Sequence, residues 1–220
     1  MVGMVIADFK AAPQPPFMSR NDVAGLVLAG GASRRMGSDK ATTELAGRTL
    51  LQRAVSRLAP QVGPLAVNRG VDDGVPALPD DLPVLRDPVP GRQGPLAGLL
   101  AGLLWARDLG APLLVTVAVD TPFFPADLAG RLAAAADGRI AVAASGGRPH
   151  PVFAATPTSL SGDLIEWLAG QDDRSVARWQ ARHAAIAVSF AVPARDIDPF
   201  FNLNTPDDLA AAEAAVRAGA

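Results

Sequence analysis

From residue 23 onward, short aliphatic runs alternate with helix-patterned segments, and this alternation constrains the fold more than any other property of the chain. Residues 23–28, 65–67, 113–119 and 140–144 read as strands, and residues 50–58, 96–107 and 125–136 as helices. Strands separated by helices at this spacing build βαβ units, whose strands run parallel in a sheet covered on both faces. Leu113-Leu-Val-Thr-Val-Ala-Val119 is almost continuously apolar, as a central strand buried on both faces must be. The helix at 96–107 puts Leu96, Leu99, Leu100, Leu103 and Leu104 on one stripe with Ala97, Gly98, Ala101 and Gly102 between them, so it can lie close to the sheet. The fold class expected is α/β: a single Rossmann-like, mostly parallel sheet with helices on both faces.

Residues 1–21 carry no period, contain Pro13, Pro15 and Pro16, and read as a flexible leader, leaving 22–220 as the folded domain. Near the other end, Thr205-Pro-Asp-Asp208 combines an N-cap, a proline at the first helical position and acids in the first turn, which predicts a helix running to Arg217. Residues 175–183 form another helical pattern ending in His183, a cation suited to a helix C-terminus. Trp105, Trp167 and Trp179 fall on helical patterns and read as packing residues rather than a ligand-stacking box.

The chain has no cysteine, which removes disulfides, thiol nucleophiles, iron–sulfur clusters and cysteine zinc sites together. Its two histidines, His150 and His183, form no HExxH pattern, so a hard, oxygen-bound cation such as Mg²⁺ is the metal this inventory suits. With 20 basic residues against 22 acidic ones there is no bulk charge for nucleic acid, and phosphate recognition must come from local cations and backbone amides. The longest uncharged apolar stretch, 95–106, falls well short of the roughly 20 residues that span a bilayer. A cytoplasmic protein with no membrane partner is the expectation.

Only two lysines, Lys10 and Lys40, survive in a chain that uses arginine freely. Lys40 closes the run Leu28-Ala-Gly-Gly31-Ala-Ser-Arg-Arg-Met-Gly37-Ser-Asp-Lys40. A glycine pair directly after a buried parallel strand turns the backbone sharply and aims N–H groups into the crevice at the strand's carboxyl end, where anions bind in such sheets. Arg34, Arg35 and Lys40 surround that turn with positive charge, a combination that suits a triphosphate. It is neither a P-loop nor a dinucleotide fingerprint, because the chain contains no GxxxxGK[ST] and no GxG.

Asp120 follows the strand at 113–119, so its carboxylate should emerge at the same sheet edge as Gly30 and Gly31, placed to hold Mg²⁺ against phosphates. An aspartate before Thr-Pro also caps helices, and that reading stays open. Asn68 and Asp87 follow the strand at 65–67 and the short run at 84–85, which puts both at carboxyl ends lining the same crevice; either could instead close its strand in an Asx-turn.

LAGGASRRMGSDK resembles the signature loop of the molybdenum cofactor guanylyltransferases, nucleotidyltransferases related to the sugar-nucleotide pyrophosphorylases. Further similar stations follow in order: Val67-Asn68, Arg86-Asp87, Gly94-Pro-Leu-Ala-Gly98, Val119-Asp-Thr-Pro122, His150-Pro151 and Phe201-Asn-Leu-Asn-Thr-Pro206. The resemblance covers about residues 23–216 and implies a nucleotidyltransferase sheet that moves GMP from GTP to molybdenum-loaded molybdopterin, with pyrophosphate leaving. It implies GTP contacts at Leu28, Ala29, Gly30, Gly31, Lys40, Asn68, Asp87 and Asp120, catalytic roles for Arg35, Lys40 and Asp120, and Mg²⁺ on Asp120. It also implies a nucleotide-binding half at about 22–125 and a pterin-side half at about 126–220, the latter carrying His150, Asn202 and Asn204. A histidine packed at a strand start and an asparagine pair capping the last helix explain those three residues equally well. The sibling cytidylyltransferases typically read LAAG and Asp-Gln-Pro where this chain has Leu28-Ala-Gly-Gly31 and Asp120-Thr-Pro122, which favours guanine. A non-catalytic nucleotide-binding module in transient contact with maturing molybdoenzymes is the rival of another class. Retention of Arg35, Lys40 and Asp120 argues against it.

Overall fold

A computed structural model describes residues 6–7, 19–30, 39–70, 82–89, 94–170, 173–192 and 197–219. In chain order the strands are β1 (Ile6–Ala7), β2 (Val23–Leu28), β3 (Glu44–Leu45), β4 (Arg48–Thr49), β5 (Leu65–Arg69), β6 (Val84–Arg86), β7 (Leu113–Ala118), β8 (Ala141–Ser145), β9 (Arg148–Pro157) and β10 (Ile186–Phe190). The α-helices are α1 (Leu50–Leu58), α2 (Pro95–Asp108), α3 (Leu128–Ala136), α4 (Ser161–Gly170), α5 (Val176–Arg182) and α6 (Pro206–Ala218). Eight strands form one sheet in the order β1-β10-β8-β9-β7-β2-β5-β6, and β3 and β4 form a separate two-stranded hairpin. All neighbours in the large sheet are parallel except β9, which runs antiparallel to both β7 and β8.

The expected strands and helices form, with boundaries shifted by up to three residues: Asn68 belongs to β5 rather than following it, and α3 begins at Leu128. The leader contributes a finding of its own, because Ile6 and Ala7 pair in parallel with Ala187 and Val188 on β10. Backbone groups at the open side of β10 take partners wherever a segment is within reach, and periodicity does not report a two-residue strand. The antiparallel β9 follows from Gly146 and Gly147, whose φ values of 53° and 78° make the tight turn that returns β8 on itself.

Alternation along the strands separates two cores. Val23, Val27, Leu113, Val115 and Val117 face α1, α3 and α6, whereas Ala24, Leu26, Leu28 and Leu114 face α2, α4 and α5. Consecutive residues on a strand point to opposite faces, which is why near-continuous apolarity was needed in β2 and β7. Helix starts are well capped: Thr49 and Gln52 form a capping box on α1, and Thr205 and Asp208 form one on α6 with Pro206 at its first turn. Among the described residues, no helix is long and apolar enough to cross a membrane.

The winding sets the site. From β2 the chain moves by way of α1 to β5 and on to β6, then returns by way of α2 to β7 on the other side of β2. The strand order therefore reverses at β2, and the crevice beyond the carboxyl ends of β2 and β7 is the place where a doubly wound sheet binds its ligand.

Candidate active site

Leu28, Asn68 and Ala118 lie side by side at the carboxyl ends of β2, β5 and β7. The chain continues from β2 with its backbone still held, as Ala29 N–H donates to the Asn68 carbonyl at 3.0 Å and Val119 N–H donates to the Leu28 carbonyl at 3.1 Å. Leu28 and Ala29 are themselves buried, so only their main chain can meet a ligand. Gly30 is exposed and lies so close to the next strand that an added Cβ would sit 2.9 Å from the Gly70 nitrogen. Gly31 and Arg35 lie outside the described residues.

Lys40 opens a one-turn 3-10 helix, Lys40–Thr42, capped by the Asp39 side chain. Its ammonium donates to Asp120 Oδ2 at 2.8 Å and to Asn204 Oδ1 at 2.7 Å. Lys40 and Asp120 keep about a fifth of their side-chain surface open, enough for a ligand to reach both. The Asp120 carbonyl accepts from Leu203 N–H at 2.8 Å, and the buried Thr121 hydroxyl donates to Asn202 Oδ1 at 2.5 Å. The Asn202-Leu-Asn204 segment is thereby folded onto the end of β7, and Asp208 fixes it further by accepting from the Asn204 and Thr205 N–H groups at 2.9 and 2.8 Å. Those hydrogen bonds, the Asn204 one foremost, with the Thr205 hydroxyl and the nearby Lys40 charge, hold the Asp208 carboxyl below its usual range.

The two asparagines expected on the pterin side, within the half at about 126–220, lie close to the residues expected to meet the nucleotide. Asn202 and Asn204 stand against Thr121 and Lys40, because residues 202–204 lie at the end of β7. His150 belongs to a different cluster, stacked on Phe200 with ring centroids 4.4 Å apart and with Nε2 2.7 Å from Ser145 Oγ. Ser145 donates its single hydroxyl proton to Asp198, at 3.0 and 3.1 Å from its two oxygens, so His150 Nε2–H is the donor toward Ser145 and a neutral ring satisfies the cluster. Burial lowers the His150 pKa, with Arg148 adding to the effect and Asp198 opposing it.

Asn68 and Asp87 come together on the other flank. Asn68 Nδ2 donates to Asp87 Oδ1 at 2.9 Å and to the Leu85 carbonyl at 3.3 Å. Gly98 is required beside them, since a Cβ there would lie 2.2 Å from Asn68 Oδ1.

Sequence reasoning missed Arg69. Its side chain is 1% exposed, and Nη1 donates to the Ala29 carbonyl at 2.9 Å. The same guanidinium forks onto Asp39, with Nη1 to Oδ1 at 3.3 Å and Nη2 to Oδ2 at 2.5 Å. Burial raises the Asp39 pKa, but hydrogen bonds from Arg69 and Ala41 and the Arg69 charge outweigh it and leave the carboxyl below its ordinary value. No residue count separates this arginine from the others in an arginine-rich chain; its place directly after Asn68 at a strand end was the available signal. His183, Trp179 and Arg182 meet Asp163 at 2.8, 2.8 and 3.3 Å on the far side of the sheet, a packing cluster of α4 and α5.

A lysine paired with a carboxylate stands at the switch point of a doubly wound sheet, and residues 25–186 match the MobA-like NTP transferase domain, so the chain is a nucleotidyltransferase. The chain belongs to the molybdenum cofactor guanylyltransferase family. It is 47% identical over 203 residues to the molybdenum cofactor guanylyltransferase of Rhizobium leguminosarum bv. trifolii, covering 89% of this chain and 94% of the relative. It is 49% identical over 200 residues to that of Cereibacter sphaeroides, covering 88% and 96%. The crystal structure of molybdopterin-guanine dinucleotide biosynthesis protein A from Archaeoglobus fulgidus shares the fold, with a TM-score of 0.65 at 23% identity over 89% of this chain and 99% of that one.

Proposed function

We propose that this protein transfers GMP from GTP to molybdenum-loaded molybdopterin, forming the guanine dinucleotide of the cofactor and releasing pyrophosphate. The observation that carries the reading is the Lys40–Asp120–Asn204 contact at the ligand-binding crevice of the sheet, in a chain whose relatives are named for that reaction. The attacking oxygen belongs to the pterin phosphate, so the protein needs no nucleophile of its own. Its work is to align two phosphates and to neutralise charge as pyrophosphate forms.

Backbone amides near Gly30 and Gly31 receive the phosphates, and the Lys40 ammonium turns from Asp120 toward the departing pyrophosphate. Arg35, on the same turn by sequence, adds a second positive charge. Asn68 and Asp87 offer an amide and a carboxylate to the guanine flank, where the two-donor edge of guanine pairs with a carboxylate and the cytosine edge does not. Asp120 is the residue that would hold Mg²⁺: a hard cation takes one or two carboxylates and completes its shell with phosphate oxygens and water, and Asp120 is a partly open carboxylate at the crevice. When bound there, Mg²⁺ would supply charge neutralisation on the phosphates. His150 remains a candidate for the pterin side, presented on β9 at the rim of its own cluster.

The test is direct. Purified protein incubated with Mg²⁺, molybdenum-loaded molybdopterin and either GTP or CTP should release pyrophosphate, with kcat/KM for GTP exceeding that for CTP by at least about tenfold, the worth of one or two specific hydrogen bonds. Equal use of the two nucleotides removes the guanine reading, and absence of pyrophosphate removes the transfer itself.

A further inference from the structure

Arg69 ends β5, and consecutive residues on a strand face opposite ways. Asn68 accordingly meets Asp87 and the α2 side, while Arg69 reaches the other way to Ala29 and Asp39. It holds the Ala29 carbonyl and grips the Asp39 carboxylate with both Nη atoms. Asp39 in turn accepts Ala41 N–H on Oδ1 at 3.0 Å and Thr42 N–H on its carbonyl at 3.0 Å, which fixes the one-turn helix that carries Lys40.

Burying a guanidinium is costly, and a carboxylate that is itself 40% exposed recovers only part of that cost, so this pair adds little net stability. It supplies direction instead. A planar fork fixes a carboxylate in orientation as well as distance, whereas an ammonium is a point charge that cannot span Ala29 O and both Asp39 oxygens.

We propose that Arg69 is the positioning residue of the phosphate site: by tying Ala29 to Asp39 it fixes the one-turn helix that follows Asp39 and aims the Lys40 ammonium at the transferring phosphates. The proposal rests on the transfer reading above for its kinetic consequence, and on geometry alone for its structural one. The two are tested separately on Arg69→Lys and Asp39→Asn.

Amide hydrogen exchange of the nucleotide-free protein reads the geometry. Both variants should lose protection at Ala41 and Thr42 by about tenfold or more while keeping the protection of β2 and β7. Unchanged exchange at Ala41 and Thr42 overturns the proposal whatever the activity of the protein. Kinetics read the aim. Arg69→Lys should lower kcat by about tenfold or more in otherwise wild-type protein and by less than about twofold in a Lys40→Met background, because a lysine that is absent cannot be misdirected. A merely structural role would give the same fold-loss in both backgrounds, and that additivity also overturns the proposal. If wild-type protein releases no pyrophosphate, the transfer reading fails and the exchange measurement still decides whether the clamp exists.

Discussion

Lys40 is shared between a carboxylate and an amide, an arrangement that suits the part proposed for it in the transfer. A lysine reserved for stability would be buried and fully paired. This one stays about a fifth exposed, with Asp120 and Asn204 holding it ready for a third partner. Lys40→Met should therefore fold normally and lose about 10²- to 10³-fold in kcat, as expected for removal of one charge-stabilising donor. Steady-state pyrophosphate release, with a thermal melt as control, checks it; a kcat within threefold of wild type would falsify the assignment. His150 makes a different residue-scale statement, about pH. Burial depresses its pKa below the usual 6.5, so the folded protein binds fewer protons than the unfolded chain just below that value. Its stabilising contribution is complete above about pH 6.5 and fades as pH falls through the depressed value. The Tm advantage of wild type over His150→Gln should be larger at pH 7.5 than at pH 5, and an advantage independent of pH would remove the half-buried neutral histidine from the account.

At the scale of elements, helices reveal themselves in sequence because their signals are local. Thr49 with Gln52, Thr205 with Asp208 and the leucine stripe of α2 each lie within a few residues of what they specify. Strands β2 and β7 were legible because burial on both faces demands unbroken apolarity, while β9 was not, since its direction is set by two glycines in a turn rather than by its own composition. The glycines of helices divide in the same manner, and only the structure sorts them. A Cβ at Gly98 meets Asn68 Oδ1 at 2.2 Å, and Asn68 cannot yield without releasing Asp87. Nothing lies within 4 Å of a Cβ at Gly130 on α3. Gly98→Ala should cost about 1 to 3 kcal/mol and raise KM for GTP, whereas Gly130→Ala should gain up to about 1 kcal/mol from helix propensity. Denaturant melts of the two variants check the opposite signs; a stabilised Gly98→Ala would mean that α2 does not approach β5 as closely as described.

The whole molecule brings together segments that the sequence keeps far apart. Lys40 and Asn204 touch across 164 positions, Thr121 and Asn202 across 81, and Arg69 and Asp39 across 30. Individual residues of this site were legible because strand ends share one edge of a parallel sheet, so Asp120, Asn68 and Asp87 could be placed by counting strands. The closing segment at 202–204 follows no strand in that crevice, and its arrival depends on how the chain returns from β10, a path that no local pattern encodes. A site built from such distant segments couples ligand binding to the cooperative unfolding of the domain. GTP with Mg²⁺ at a hundred times its Kd should stabilise the native state by about 2.7 kcal/mol. For a domain of this size each kcal/mol moves Tm by about 2 to 4 °C, so the shift should be about 5 to 10 °C in a single transition. Lys40→Met should keep the ligand-free Tm and lose most of that increment, since the ammonium joins the one-turn helix at 40–42 to the end of β7 and to the 202–204 segment. Differential scanning calorimetry with and without nucleotide distinguishes the outcomes. Two separate transitions, or a full ligand shift in Lys40→Met, would show that the nucleotide is held by one flank of the crevice and that the crossing segment does not take part.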